Sequence, residues 1–301
     1  MSTRQARRRQ QRVSSQRKGK PQTTPWYLGV RGLVAAVVVV VAVVAILVVT
    51  GQKNKPKSAY FPPATPSTQL LAQVTAHPTA VITKVGAGST AASSNANPWT
   101  KISGPFLTSN GKPELLYLGA EYCPYCAGER WSMVNALSRF GTFTGLKLMK
   151  SSSTDVLPST NTFTMRSVKY TSPYLSFVPV EETNNIQQTL KTPTAQQQAL
   201  ASKYDTGGGI PFLDLANRAT ASIGYDVHVL RSDPTNGSST PLTWDQIGAN
   251  LSNANSLSTQ GIVGDANWTT AGICKITNNQ PASACLVAPI PKLEKSLTFS
   301  K

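Results

Sequence analysis

Leu33 to Val49 is an unbroken apolar run of valine, alanine, leucine and isoleucine. Extended to Gly29 and Gly51, it reaches the roughly 20 residues that a bilayer-spanning helix requires. Backbone groups in lipid can only be satisfied within the segment, so the run must be helical despite valine's preference for strands. It divides the chain into a short arm before it and a long folded portion after it. Arg4, Arg7, Arg8, Arg9, Arg12, Arg17, Lys18, Lys20 and Arg31 precede the run and outnumber Lys53, Lys55 and Lys57 behind it. That imbalance predicts a cytoplasmic N-terminus and an outward-facing remainder. A cleaved signal peptide is the alternative, but the basic region and the apolar run are long for one, and no small-x-small cleavage site follows. A basic arm can also bind nucleic acid. The adjoining span accounts for this one, and no nucleic-acid partner is expected. The expected organisation is a basic cytoplasmic tail (1–31), a transmembrane helix (32–51), a linker (52–67) and an extracytoplasmic domain (68–301).

Within the outer portion, Glu121-Tyr122-Cys123-Pro124-Tyr125-Cys126 carries the chemistry. Leu115 to Leu118 before it is nearly all apolar, as a strand buried on both faces should be. Asn110-Gly111 ahead of that strand is a type I′ turn signal, which predicts a hairpin over Phe106 to Gly119. After Cys123, Ala127, Trp131, Val134 and Leu137 recur at helical spacing, Pro124 suits the first helical position, and Gly141 is a plausible stop. Leu146 to Met149 reads as the next strand, giving a right-handed β-α-β unit.

Elsewhere the pattern predicts a short helix capped by Ser67 with Leu70, Leu71 and Val74 inward. It also predicts a strand at Ala80 to Val85 and a loop from Gly86 to Asn97. Thr162 to Met165 and Tyr174 to Val180 have strand composition, and Ala195 to Tyr204 reads as a helix. Phe212 to Leu215 should pair with a strand in Ala219 to Tyr225. Thr243 to Ala254 and Asn267 to Thr277 should be helical. The stretch from about 151 to 205 reads as an insertion.

A thiol at a helix N-terminus is stabilised as thiolate by unpaired N–H groups and by the helix dipole, which lowers its pKa from about 8.5 into the range of about 3.5–7.5. Cys123 is therefore the candidate nucleophile. Cys126, one turn on, can resolve a mixed disulfide. An inert bridge across so short a gap would stabilise little. A zinc site would need Cys274 and Cys285 as further ligands, at a spacing long for a knuckle. Cys274 and Cys285 flank the turn-like Asn278-Asn279-Gln280-Pro281 and read as a structural disulfide worth roughly 3 kcal/mol. A second redox pair is the other reading. His77 and His228 sit in unremarkable contexts. Gly207-Gly208-Gly209 lacks the surroundings of a phosphate loop and reads as a close approach of backbone to the cysteines.

These residues resemble the thioredoxin-like superfamily. Ala120 to Cys126 is similar to its active-site run, and the Cys-Pro-Tyr-Cys core is that of glutaredoxins. Ile210-Pro211 looks like its cis-proline dipeptide. The resemblance implies an α/β fold of three layers around a mixed central sheet. It also implies a cis bond at Pro211, and substrate contact from Ile210, Pro211, Tyr122, Pro124 and Tyr125. Thioredoxins carry a buried carboxylate six positions before the first cysteine, and Tyr117 stands there. Tyr117 or Glu121 then becomes the candidate for moving the Cys126 proton. A closer resemblance, from about Leu70 onward, is to domain-of-unknown-function family 929, a membrane-anchored group. It rests on Asn110 to Tyr117, Gly119 to Cys126, Arg130-Trp131, Ser138 to Gly141 and Tyr170 to Tyr174.

The expected function is a membrane-anchored thiol–disulfide oxidoreductase acting on exported proteins at the cell membrane. It needs no bound cofactor or metal and exchanges electrons with a membrane redox partner. The alternatives are a peptide- or protein-binding module with a static disulfide and a zinc-stabilised structural domain.

Overall fold

A computed structural model describes residues 57–88 and 97–301. In chain order, α1 (Thr68–Thr75) and α2 (Thr79–Val85) precede β1 (Thr100–Lys101), β2 (Thr108–Ser109) and β3 (Lys112–Gly119). Next come α3 (Pro124–Leu137), β4 (Thr142–Thr144), β5 (Lys147–Lys150), β6 (Asn161–Thr164), β7 (Lys169–Thr171) and β8 (Ser176–Glu181). Then α4 (Ala195–Tyr204) leads to β9 (Phe212–Leu215), β10 (Ala219–Ala221) and a 3-10 turn at Val227–Leu230. The chain closes with α5 (Trp244–Asn250), α6 (Leu257–Ile276), α7 (Ala282–Cys285) and α8 (Ile290–Ser296).

Asn110 and Gly111 take positive φ of 52° and 72°, which turns β2 back into β3 as the sequence requires. β3 is the hub of a mixed sheet. It pairs parallel with β8 and antiparallel with β9, and β10 and then β1 continue beyond β9. Alternation along β3 divides the core between the two faces of the sheet. Leu115 and Tyr117 join the large cluster with Trp131, Val134 and Leu137 of α3. Leu116 and Leu118 meet Val180, Phe212 and the inner side of α4. Helices therefore cover both faces. Each fully buried aliphatic or aromatic side chain there contributes about 1.5–3 kcal/mol.

α3 is buried along nearly its whole length because it is enclosed by the sheet, by α6 and by the β5–β6 hairpin. Trp131 stacks edge-on against Phe163 at 4.6 Å, and its indole N–H donates to the Asn161 carbonyl. The hairpin is thus held on the helix, and this corrects an expectation. Leu146 to Met149 does not complete the parallel unit; β8 does. The stretch read as an insertion accordingly contributes the parallel neighbour of β3 as well as α4.

Two further expectations change. Ala80 to Val85 is not a strand but lies in α2, where Val81, Ile82 and Val85 form one inward face whose burial overrides their strand preference. α6 begins ten residues before the helix expected at Asn267, at Leu257. Its early turns carry Gly261 against the Tyr225 ring and Gly264 against the Gly88 backbone. These close contacts leave no room for the large apolar side chains that would have signalled a helix.

The proline-rich stretch taken as a linker also differs from Lys57 onward. The Ala59 and Phe61 amides donate to Ser153 and Asn185, and Ala64 bridges Leu148. Phe61 lies 5.8 Å from Trp244. This segment belongs to the folded unit Lys57–Lys301. The expected transmembrane helix, 32–51, and the basic tail lie outside the described residues. Among the described residues no helix is long and apolar enough to cross a membrane.

Candidate functional site

Cys123 ends the β3–α3 connection as the N-cap of α3, with extended backbone and Pro124 in the first turn. Its sulfur occupies the position normally taken by a capping oxygen. The Cys126 amide donates to it at 3.3 Å, and the thiol can donate to the Ile210 carbonyl at 3.5 Å. Both sulfurs are free thiols. The Cys123 pKa is lowered by hydrogen bonding from the Cys126 thiol, and further by backbone N–H groups and the Arg130 charge, against the opposing effect of burial. Cys126 is completely buried, and burial followed by its Cys123 neighbour pushes its pKa well up. One thiol is poised to ionise and the other to stay protonated.

Beneath the pair lies a buried charge. Arg130 follows Cys126 by four residues and Cys123 by seven, so all three occupy one face of α3. Its guanidinium makes a two-pronged ion pair with Glu181, with both N···O distances at 2.8 Å, and donates to the Ala120 carbonyl. Arg130 and Glu181 are shielded from solvent. Tyr117 sits beside this pair, with Arg130 6.0 Å from its ring centroid. Among the described residues the Tyr117 hydroxyl has no hydrogen-bond partner, and it rests against Gly119, where a Cβ would lie 2.2 Å from the oxygen. Burial first, with the Arg130 charge opposing, holds the phenol well above its ordinary pKa. Tyr117 therefore stays a protonated phenol, not a base.

Glu121 takes a different place from the one its sequence position suggests. Thr164 and Arg166 occupy its carboxylate, with Arg166 Nη2 at 2.6 Å. It is an anchor for the β6–β7 connection, while Arg130 is the charge aligned with the sulfurs.

The remaining expected contact residues converge on the same opening. The Ile210–Pro211 bond is cis. Tyr125 is 43% exposed next to the thiols, Tyr122 is partly exposed, and Pro124 is buried. Two clefts flank the Gly209–Phe212 segment. One of about 200 Å³ includes Leu118, Pro193, Ala201 and Phe212, and one of about 350 Å³ includes Pro98, Tyr204 and Thr220.

Cys274 and Cys285 form a disulfide with a Cα–Cα distance of 5.6 Å. Their sulfurs are committed to each other, which removes the second half of a four-cysteine zinc site. Among the described residues no group of three or more His, Cys, Asp or Glu is arranged for a metal.

The sequence reading missed Arg130 and Glu181 as a unit. The spacing from the cysteines could have drawn Arg130 out, but Glu181 lies 51 residues away and is joined to it only by β8 pairing. A second buried pair was also missed. Glu129 of α3 and Asp265 of α6 form a hydrogen-bonded carboxyl pair. Burial and the Asp265 charge push Glu129 well up, and burial raises Asp265 to about 6.

Residues 98–229 match a family described as Domain of unknown function (DUF929). No curated protein and no solved structure matches the chain.

Proposed function

We propose that this chain is a membrane-anchored thiol–disulfide oxidoreductase that acts on exported proteins through a thioredoxin-like domain. The observation that carries the reading is the Cys123 sulfur at the α3 N-cap. It faces the Ile210 carbonyl, and Cys126 lies buried behind it. The strand order β10-β9-β3-β8, with the cysteines after β3 and Pro211 before β9, supports the thioredoxin-like reading.

The thiolate of Cys123 attacks one sulfur of a substrate disulfide. A bond forms between Cys123 and that sulfur, the substrate S–S bond breaks, and the other substrate sulfur leaves as thiolate. Cys126, once deprotonated, attacks Cys123 and expels the second substrate thiolate. The substrate has then gained two electrons, and the cysteine pair has lost them as an S–S bond. Run backwards, the same steps oxidise a dithiol substrate. Arg130 favours the anionic form of either sulfur. The Cys126 proton leaves to water, because Glu121 is engaged elsewhere. The clefts beside Ile210 hold the substrate backbone and neighbouring side chains, with Tyr122 and Tyr125 at the rim. Residues 32–51 anchor the domain at the cell membrane, and a membrane dithiol–disulfide partner resets the pair. The cysteines carry the electrons themselves.

The deciding experiment combines thiol labelling as a function of pH with trapping by Cys126→Ala. The reading expects an accessible thiol that titrates well below 8.5, and mixed disulfides that a reductant releases. A Cys123 midpoint near 8.5 with nothing trapped leaves the peptide-binding module. The reduction potential of the Cys123–Cys126 pair then assigns the direction, since about 30 mV corresponds to 1.4 kcal/mol for this couple.

A further inference from the structure

Away from the thiols, where α3 ends, Arg139 is a half-buried cation without an anion among the described residues. Its guanidinium donates to the neutral side-chain oxygens of Asn267 and Asn135, each at 2.8 Å, and its Nε has no partner. None of the ion pairs among the described residues includes it. The segments outside the described residues cannot supply the missing carboxylate, because they contain no Asp or Glu. Burial alone lowers Arg139 to about 9.

Arg139 lines a cavity of about 230 Å³ together with His77, Thr79, Ser283 and the apolar Ile82 and Val287. Both ring nitrogens of His77 are shielded from solvent, with the Ser138 and Ala76 carbonyls close to the ring. Burial and the Arg139 charge hold His77 down to about 4, against the nearby carbonyls of Ser138 and Ala76. Arg139 is the other titratable group on this wall. A cavity wall that carries a guanidinium with no carboxylate partner favours a ligand of the opposite charge.

We propose that this cavity binds a small oxyanion, a carboxylate or phosphate with at most a short apolar body, held by Arg139 and His77. The size fits, since it lies below the 300–1,000 Å³ typical of larger ligands. Ile82 and Val287 would take the apolar body, and the hydroxyls of Thr79 and Ser283 the remaining oxygens. One wall is α7, which the Cys274–Cys285 disulfide fastens to α6. The site is independent of the thiol chemistry.

Binding protonates His77, because an anion beside the ring favours its charged form. Affinity therefore tightens as pH falls, by up to about tenfold per unit. The chain has two histidines, so the His77 ring resonance is readable by NMR in the full chain, assigned with His77→Gln. Inorganic phosphate and propionate are titrated separately. The expected result is a saturable shift of the His77 signal, with its midpoint raised above about 4, while His228 stays put. Propionate alone marks the ligand as an organic carboxylate, and phosphate alone marks it as a phosphate; either supports the site. Arg139→Gln should abolish the shift. Ser283→Trp, at an exposed position on the cavity wall, should abolish it too without disturbing the Arg139 contacts to Asn135 and Asn267. No saturable shift with either anion, or an unchanged shift in Ser283→Trp, overturns the proposal.

Discussion

The two cysteine pairs both sit at helix ends, but at opposite poles. Cys123 caps the N-terminus of α3, where unpaired N–H groups and the positive end of the dipole favour a thiolate. Cys274 lies in the last turn of α6, where the dipole opposes one. The first pair is three residues apart, with the Ile210 carbonyl beside it and a buried arginine beneath. The second is separated by 11 residues and is sealed in the apolar cluster. Helix polarity, loop length and a local charge thus separate a pair of free thiols from a stapling pair within one chain.

The sharpest test exchanges their roles. Cys123→Ser should slow the reduction of a small chromogenic disulfide by on the order of 10³-fold or more. Cys274→Ser with Cys285→Ser should leave that rate unchanged. Equal losses from both would end the distinction. In denaturant unfolding, the order reverses. The Cys274/Cys285 double variant should lose roughly 3 kcal/mol, while Cys123→Ala with Cys126→Ala, which opens no long loop, should lose much less.

A third test concerns the contact between α3 and α6, the helices that carry the two pairs. Asp265 is raised to about 6 in the folded chain from an ordinary value of 3.8. A carboxyl that holds its proton more tightly when folded stabilises most at low pH, and that contribution is lost as pH rises. Stability attributable to this pair should therefore fall between about pH 4 and pH 6. Asp265→Asn should reduce the slope to the part that Glu129 contributes and gain on the order of 1–3 kcal/mol at pH 7. Thermal melts across this range check it.

The smallest effect expected is the most specific. Removing Arg130 alone would leave Glu181 buried and unpaired, at a cost of about 3–5 kcal/mol. Arg130→Met combined with Glu181→Leu avoids this. The double variant should raise the Cys123 pKa, with the Cys274–Cys285 bridge intact. Iodoacetamide labelling against pH reads it directly. An unchanged pKa would show that the N-cap alone tunes Cys123.

Local signals in the sequence reached the reactive pair but not its support. The cap was legible because Cys123 and Pro124 adjoin, and the hairpin because Asn110-Gly111 admits few other conformations. The Ser67 cap made α1 equally plain. Pairings at long range were not legible. Nothing near Glu181 announces that β8, rather than Leu146 to Met149, lies beside β3. The carboxyl pair Glu129–Asp265 and the cavity at His77 and Arg139 likewise join residues that are distant in the chain. In α2, burial of three β-branched residues outweighed the local preference that had suggested a strand.

The proline-rich segment from Lys57 sets where this protein can be cut. Lys150 places its ammonium over the rings of Phe61 and Trp244, at 5.3 and 5.4 Å. Tyr60 interacts with Arg166, the partner of Glu121. A soluble fragment trimmed to begin at Ser67 would strip this covering from Trp244 and alter the charge environment one strand from the thiols. Fragments begun ahead of Lys57 keep it. Limited proteolysis should accordingly spare residues 58–65 for as long as the body stays folded.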